Sequence, residues 1–129
     1  MTFLPIPRET DDAGRSVIGA AIEVHRVLGP GFLERIYHEA LCFELQNRLL
    51  HFEHQVSTTV AYKELSIAGQ RVDLVVEDRV LVELKTVTNF EPIHEAIVLS
   101  YLRSTGLRLG LLINFHAVLL KDGLKRIVL

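Results

Sequence analysis

Arg71-Val72-Asp73-Leu74-Val75-Val76-Glu77-Asp78-Arg79-Val80-Leu81-Val82-Glu83-Leu84-Lys85 is two short apolar runs joined at Glu77, Asp78 and Arg79. That is the pattern of a strand, a tight turn and a second strand. Side chains alternate along a strand, so Glu83 and Lys85 share one face while Leu84 takes the other. Asp73 joins them only in one register. If Val76 pairs with Val80 across a three-residue turn, Val75 faces Leu81 and Asp73 faces Glu83; a two-residue turn would set Asp73 against Leu84. We take the odd-length turn. Two facing carboxylates repel, by about 1 kcal/mol at a surface and more in a dry site, and a hard divalent ion such as magnesium would turn that repulsion into a site. The same residues also fit a plainer reading, an exposed face or a structural ion pair between Glu83 and Lys85.

Around this hairpin lie helical and extended segments. Ser16 to Leu28 carries apolar residues at helical spacing (Val17, Ala21, Val24, Leu28) and ends at Gly29-Pro30-Gly31, a left-handed stop followed by a proline. A second helix is expected from about Leu33 to Leu50, with Tyr37, Leu41 and Leu45 inward. Glu34, three residues before Tyr37, falls on the same inward face, although a glutamate in a first turn is also favoured by the helix dipole. Gln55 to Lys63 and Ser66 to Val76 read as strands. A helix opens at Glu91-Pro92 and runs to about Ser104, Leu107 to Phe115 reads as a buried strand, and Ala117–Leu120 with Leu124–Val128 reads as a closing hairpin around Lys121-Asp122-Gly123. The expected fold is α/β (α+β): a central mixed sheet flanked by helices in a single domain over 16–129, preceded by a flexible lead over 1–15.

Composition narrows the function. At 129 residues the chain fits one domain. Hydrophobic residues make up 49%, yet no run reaches the ~18 uncharged apolar residues of a membrane helix. The start lacks the features of a signal peptide, so the expectation is a soluble cytoplasmic protein. The single Cys42 cannot form an internal disulfide and reads as a small core thiol. A net charge of −2 makes any nucleic-acid contact local rather than driven by bulk charge, with late basic residues at Arg103, Arg108, Lys121, Lys125 and Arg126. The six histidines lack the paired spacing of a zinc protease, and there is neither a lysine-terminated phosphate loop nor a GxSxG elbow.

Glu34 on a helix, Asp73, and then Glu83-Leu84-Lys85 resemble the PD-(D/E)XK nuclease superfamily. More narrowly, Gly31-Phe32-Leu33-Glu34-Arg35-Ile36-Tyr37 resembles the motif of the GxxExxY protein family, with further likeness at Gly29-Pro30-Gly31, Val82–Lys85, His94-Glu95-Ala96, Tyr101-Leu102 and Gly110–Phe115. The resemblance implies a nuclease-like core and a Mg2+- or Mn2+-dependent phosphodiesterase acting on DNA or RNA. Asp73 and Glu83 would hold the metal, Glu34 would complete or orient its shell, and Lys85 would position the attacking water or stabilise charge at the scissile phosphate. Tyr37, His94 and Tyr101 are candidates for the substrate side. Two positions depart from the family pattern: Ile97 stands where a glutamine is common one turn before the tyrosine, and His116 stands where glycine is common. The competing readings are a non-cleaving nucleic-acid-binding or regulatory module that keeps the fold, and a homodimer paired through a sheet edge near the last hairpin.

Overall fold

The structure, a computed structural model, describes residues 4–129. Among these the chain forms α1 (Arg8–Leu28), α2 (Glu34–Asn47), β1 (Phe52–Tyr62), β2 (Leu65–Val76), β3 (Val80–Lys85), α3 (Pro92–Thr105), β4 (Leu109–Asn114), a 3-10 turn (Leu120–Gly123) and β5 (Leu124–Val128). The strands form one sheet in sequence order, antiparallel except where β3 runs parallel to β4. A parallel pair needs a crossover, and α3 supplies it.

The sheet separates two apolar layers. On one side α1 and α2 contribute Val17, Ala20, Ala21, Val24, Tyr37, Leu41 and Leu45 against Leu74, Val76, Val80, Val82, Leu84 and alternate residues of β4. On the other, Val98 and Leu102 of α3 pack on Val72, Val75, Leu81, Leu112 and Ile127. α3 lies so close to β4 because Gly110 has no side chain; a Cβ there would stand 2.6 Å from Val98 Cγ1. β3 and β4 are covered on both faces, which explains their apolar residues at 80–82 and 109–113.

The central hairpin adopts the odd-length turn: Val76 pairs with Val80, Val75 with Leu81 and Leu74 with Val82. The expected mixed sheet with flanking helices is present. Several ends shift by a few residues, and two segments depart further from expectation. Residues 8–15, read as part of a flexible lead, are the first turns of α1, and Thr10, Ala13 and Gly14 are buried. They extend the stripe of Val17, Ala20, Ala21 and Val24 backwards at three- and four-residue spacing, but a threonine, an alanine and a glycine give little hydropathic signal. Of the rest of that lead, residues 4–7 are described and lie outside helix and strand, and Met1, Thr2 and Phe3 lie outside the described residues.

The closing hairpin is also different. Ala117–Leu120 is not a strand; β5 instead pairs antiparallel with β4, from Leu109–Val128 to Ile113–Leu124. The intervening chain turns tightly because Gly123 lies against the Asn114 carbonyl, where a Cβ would collide with the oxygen. Leu120 is tucked into the core while Val118 and Leu119 remain exposed.

Candidate active site

The β2–β3 ladder stops at Leu74–Val82. Beyond it the strands separate, and the next link is made by a side chain: the Leu84 amide donates to Asp73 Oδ2 at 2.9 Å. β3 continues beside β4, with Glu83 opposite Leu112 and Lys85 opposite Asn114. Asp73 and Glu83 therefore face each other across the mouth of a fork.

β2 is irregular at this point. Val72 and Val75 belong to one apolar layer, Leu74 and Val76 to the other, so the two-residue alternation breaks at Asp73. Between the pairs His54–Leu74 and Val56–Val72, Gln55 takes a φ of 53°. A left-handed glutamine costs conformational energy and marks places where surrounding structure holds the backbone.

Glu83 is 5% exposed, and its Oε1 is buried with no hydrogen-bond partner. Lys85 Nζ stands 3.7 Å from its other oxygen, Oε2. If these two residues were a structural ion pair, the lysine would hold the carboxyl low. Instead burial, and then the neighbouring Asp73 charge and its hydrogen bond, push Glu83 up to about 8 against the opposing pull of Lys85. Desolvation and like charge outweigh the pull of Lys85, and the ion pair leaves the Oε1 of Glu83 unanswered. A buried acid with an orphaned oxygen beside a second carboxylate suits a hard cation with oxygen ligands.

Glu34, at the start of α2, joins the same field. Its carboxyl is raised by burial and by Asp73, with Lys85 opposing. Glu34 and Asp73 line one cleft of about 220 Å3 with Arg35, His38 and Gln55. The ligand oxygens of Glu34, Asp73 and Glu83 do not all lie within 4.8 Å of one another; among the described residues that spacing is met by His51, Glu53 and Asp78, an exposed group at the hairpin end. Glu34 and Asp73 line that cleft and Glu83 does not, so the three acids are not gathered into one ligand set, and magnesium requires only one or two carboxylates at once.

The expected substrate-side residues divide. Tyr101 on α3 is within reach of the acids: burial, and then Glu83 and Asp73, raise its phenol. Tyr37 has no exposed surface. Its hydroxyl donates to the Gly29 carbonyl at 2.5 Å and accepts from the Phe32 amide at 3.1 Å, and its ring stacks on Phe115 at 4.6 Å. Tyr37 holds the loop before Glu34 in shape, where Gly29 and Gly31 take φ of 69° and 111°, and it offers nothing to a substrate. His94 caps α3, its Nδ1 accepting from the Glu91 amide at 2.8 Å. The late basic residues are mostly occupied as staples. Arg108 reaches the carbonyls of Leu129 and Leu4, Lys125 pairs with Glu95 at 3.0 Å and Arg126 with Asp11 at 2.9 Å.

Sequence reasoning did not single out three further residues. Asn114, buried, accepts from the amides of Val87 and His116 and donates to the Val87 carbonyl; with the Phe115 amide on the Lys85 carbonyl, it fixes where Lys85 emerges. His38 lines the cleft one turn after Glu34. Its Nε2 is buried and unpartnered, and burial lowers its pKa, the facing His54 adding to this and Asp73 and Glu39 opposing. Gln55 is the third. Only the i, i+4 spacing of Glu34 and His38 carried a signal in the sequence.

The chain belongs to the PD-(D/E)XK nuclease superfamily, whose family profile matches residues 11–127. Its fold is similar to that in the crystal structure of SSO0001, with a TM-score of 0.55 and 18% identity; the match covers 94% of this chain and 59% of that chain. This chain therefore spans less than two thirds of that protein's length, and the likeness concerns the fold. None of the curated proteins compared matches this chain. No helix among the described residues is long and apolar enough to cross a membrane.

Proposed function

We propose that this protein is a divalent-metal-dependent nuclease of the GxxExxY type, hydrolysing phosphodiester bonds in DNA or RNA. The observation that carries the reading is the orphaned, buried Glu83 Oε1, set across the fork from Asp73 and beside Lys85. Asp73 and Glu83 would hold Mg2+ or Mn2+, with Glu34 closing from α2. Bound there, such an ion supplies Lewis acidity toward a phosphoryl oxygen and lowers the pKa of its water. Lys85 lies on the same strand face as Glu83, where its ammonium can meet a phosphate oxygen or align the water. Asp73 Oδ2 accepts from the Leu84 amide, which would hold the carboxylate in place toward such an ion. Tyr101 borders the acids and is the substrate-side candidate this reading favours, with His94 a candidate through its Nε2.

Calorimetric titration of Mg2+ and Mn2+ into wild type, Asp73→Ala and Glu83→Ala, with cleavage assays on single- and double-stranded DNA and RNA, tests the reading. Metal binding and cleavage in wild type, both lost in the two variants, is the expected result. Absence of metal binding would sink it.

A second reading rests on Ile97. An isoleucine one turn before Tyr101 cannot orient a water or contact a phosphate, so a module that binds nucleic acid without cutting it keeps the same fold and acids. Metal binding with salt-sensitive nucleic-acid binding and no turnover would favour it, and Ile97→Gln would then be the variant to assay for restored cleavage.

A further inference from the structure

The loop before Glu34 exposes two apolar residues, Phe32 at 47% and Leu33 at 73%. Exposed apolar side chains are common on soluble domains; what distinguishes Phe32 is how firmly it is held and where. Its amide donates to the Tyr37 hydroxyl at 3.1 Å, and that hydroxyl in turn fixes the Gly29 carbonyl. Its ring meets the Tyr37 ring edge-on at 6.2 Å, and Tyr37 is stacked on the buried Phe115. An aromatic row thus runs from the core to the surface and ends in a ring open to solvent.

That open ring is two residues before Glu34, so its Cα lies within about 7.6 Å of the Glu34 Cα along the chain. The other exposed aromatics among the described residues are elsewhere. Phe43 follows Glu34 by nine residues on α2, half a turn round the helix at 100° per residue, and Tyr62 is at the far end of β1. Arg35 lines the adjoining cleft.

We infer that Phe32 is a stacking platform for an unpaired base next to the scissile phosphate, which makes single-stranded or locally unpaired nucleic acid the substrate class of this site. This rests on the nuclease reading and deepens it. A base inside a duplex has both faces covered by its neighbours and cannot stack on a protein ring, whereas an unpaired base can lie on Phe32 while its phosphate is placed at the acids. Because the ring is already fixed, little ordering is required on binding. Stacking of this kind is tolerant of sequence.

The chain contains no tryptophan, so Phe32→Trp introduces a single reporter at the platform. In Asp73→Asn protein, which keeps an acceptor for the Leu84 amide, binding is followed by anisotropy of labelled oligonucleotides and stacking by quenching of the introduced indole's emission. The expected result is strong quenching by single strands and by duplexes with unpaired ends, little by closed duplex, and a loss of about 5- to 150-fold in single-strand affinity for Phe32→Ala, the effect of one stacked base. Phe32→Leu, which keeps an apolar side chain, should recover only part of that affinity. Nucleic-acid binding without quenching, or with equal affinity for closed duplex, overturns the platform and leaves the nuclease reading intact. If the wild-type chain binds Mg2+ yet no nucleic acid of any form binds, the platform is likewise overturned; loss of Mg2+ binding itself would condemn the underlying reading.

Discussion

Asp73 Oδ2 receives the backbone amide of Leu84 at 2.9 Å, at the point where β2 and β3 have stopped pairing. One carboxylate oxygen thus replaces a rung of the ladder.

Asp73→Asn and Asp73→Ala should therefore part company. Asparagine retains an acceptor for the Leu84 amide, so metal-free stability stays within about 1 kcal/mol of wild type; alanine leaves that amide unpaired at a cost of about 1–3 kcal/mol. Both lose Mg2+ binding. Urea denaturation beside calorimetry separates the two effects, and equal destabilisation would show that the hydrogen bond does not matter.

The pH dependence of stability has a definite sign. Glu83 is raised from an ordinary 4.5 to about 8, so between those values the folded chain holds a proton that the unfolded chain has released. Its contribution is fully present below about pH 4.5 and is lost as pH rises toward 8, at up to about 1.4 kcal/mol per pH unit. Glu34, also raised, acts in the same direction. Denaturation of wild type and Glu83→Gln at several pH values should show a steeper alkaline loss in wild type, which added Mg2+ reduces. A parallel pair of curves would contradict this.

Gly110→Ala places a methyl group where Val98 Cγ1 would be 2.6 Å away. α3 must shift outward, and overpacking of this kind costs about 1–3 kcal/mol. Because Tyr101 rides on α3, metal affinity should change less than any cleavage rate. The melting temperature and the metal titration check the two parts separately.

Tyr37→Phe keeps the ring on Phe115 and removes the hydroxyl that bridges Gly29 and Phe32. The expected loss is about 1–2 kcal/mol, measured by denaturant titration, because the Phe32 amide and the Gly29 carbonyl each lose a partner. A neutral substitution would mean the loop is held by its glycines alone.

The sequence made the hairpin register legible because a one-residue slip would have sent every buried valine and leucine to the wrong face. It made Glu34, Asp73, Glu83 and Lys85 legible because acids and a lysine stand out among apolar neighbours. It hid the first turns of α1, where small residues do the packing. It also hid the roles of Tyr37, His94 and Asn114, since a tyrosine facing a loop carbonyl and one facing a substrate look alike until the backbone is traced. Ala117–Leu120 misled for a related reason: an apolar tetrapeptide beside a turn suits a strand locally, but β5 already occupies the edge of β4.

The β1–β2 ribbon overruns its neighbour, since β3 covers β2 only from Leu74 to Val76, and most of the distal ribbon is exposed. Two strands alone are marginally stable in water; α3 supports this ribbon where Gln70 Nε2 donates to Ser100 Oγ at 3.0 Å, and the opening free energy falls along the ribbon past that tie. Amides beyond Val72 should exchange with solvent ahead of those in β3 and β4. Asp73 is on the seam between the two regimes, with the fully covered strands on one side and the two-stranded ribbon on the other.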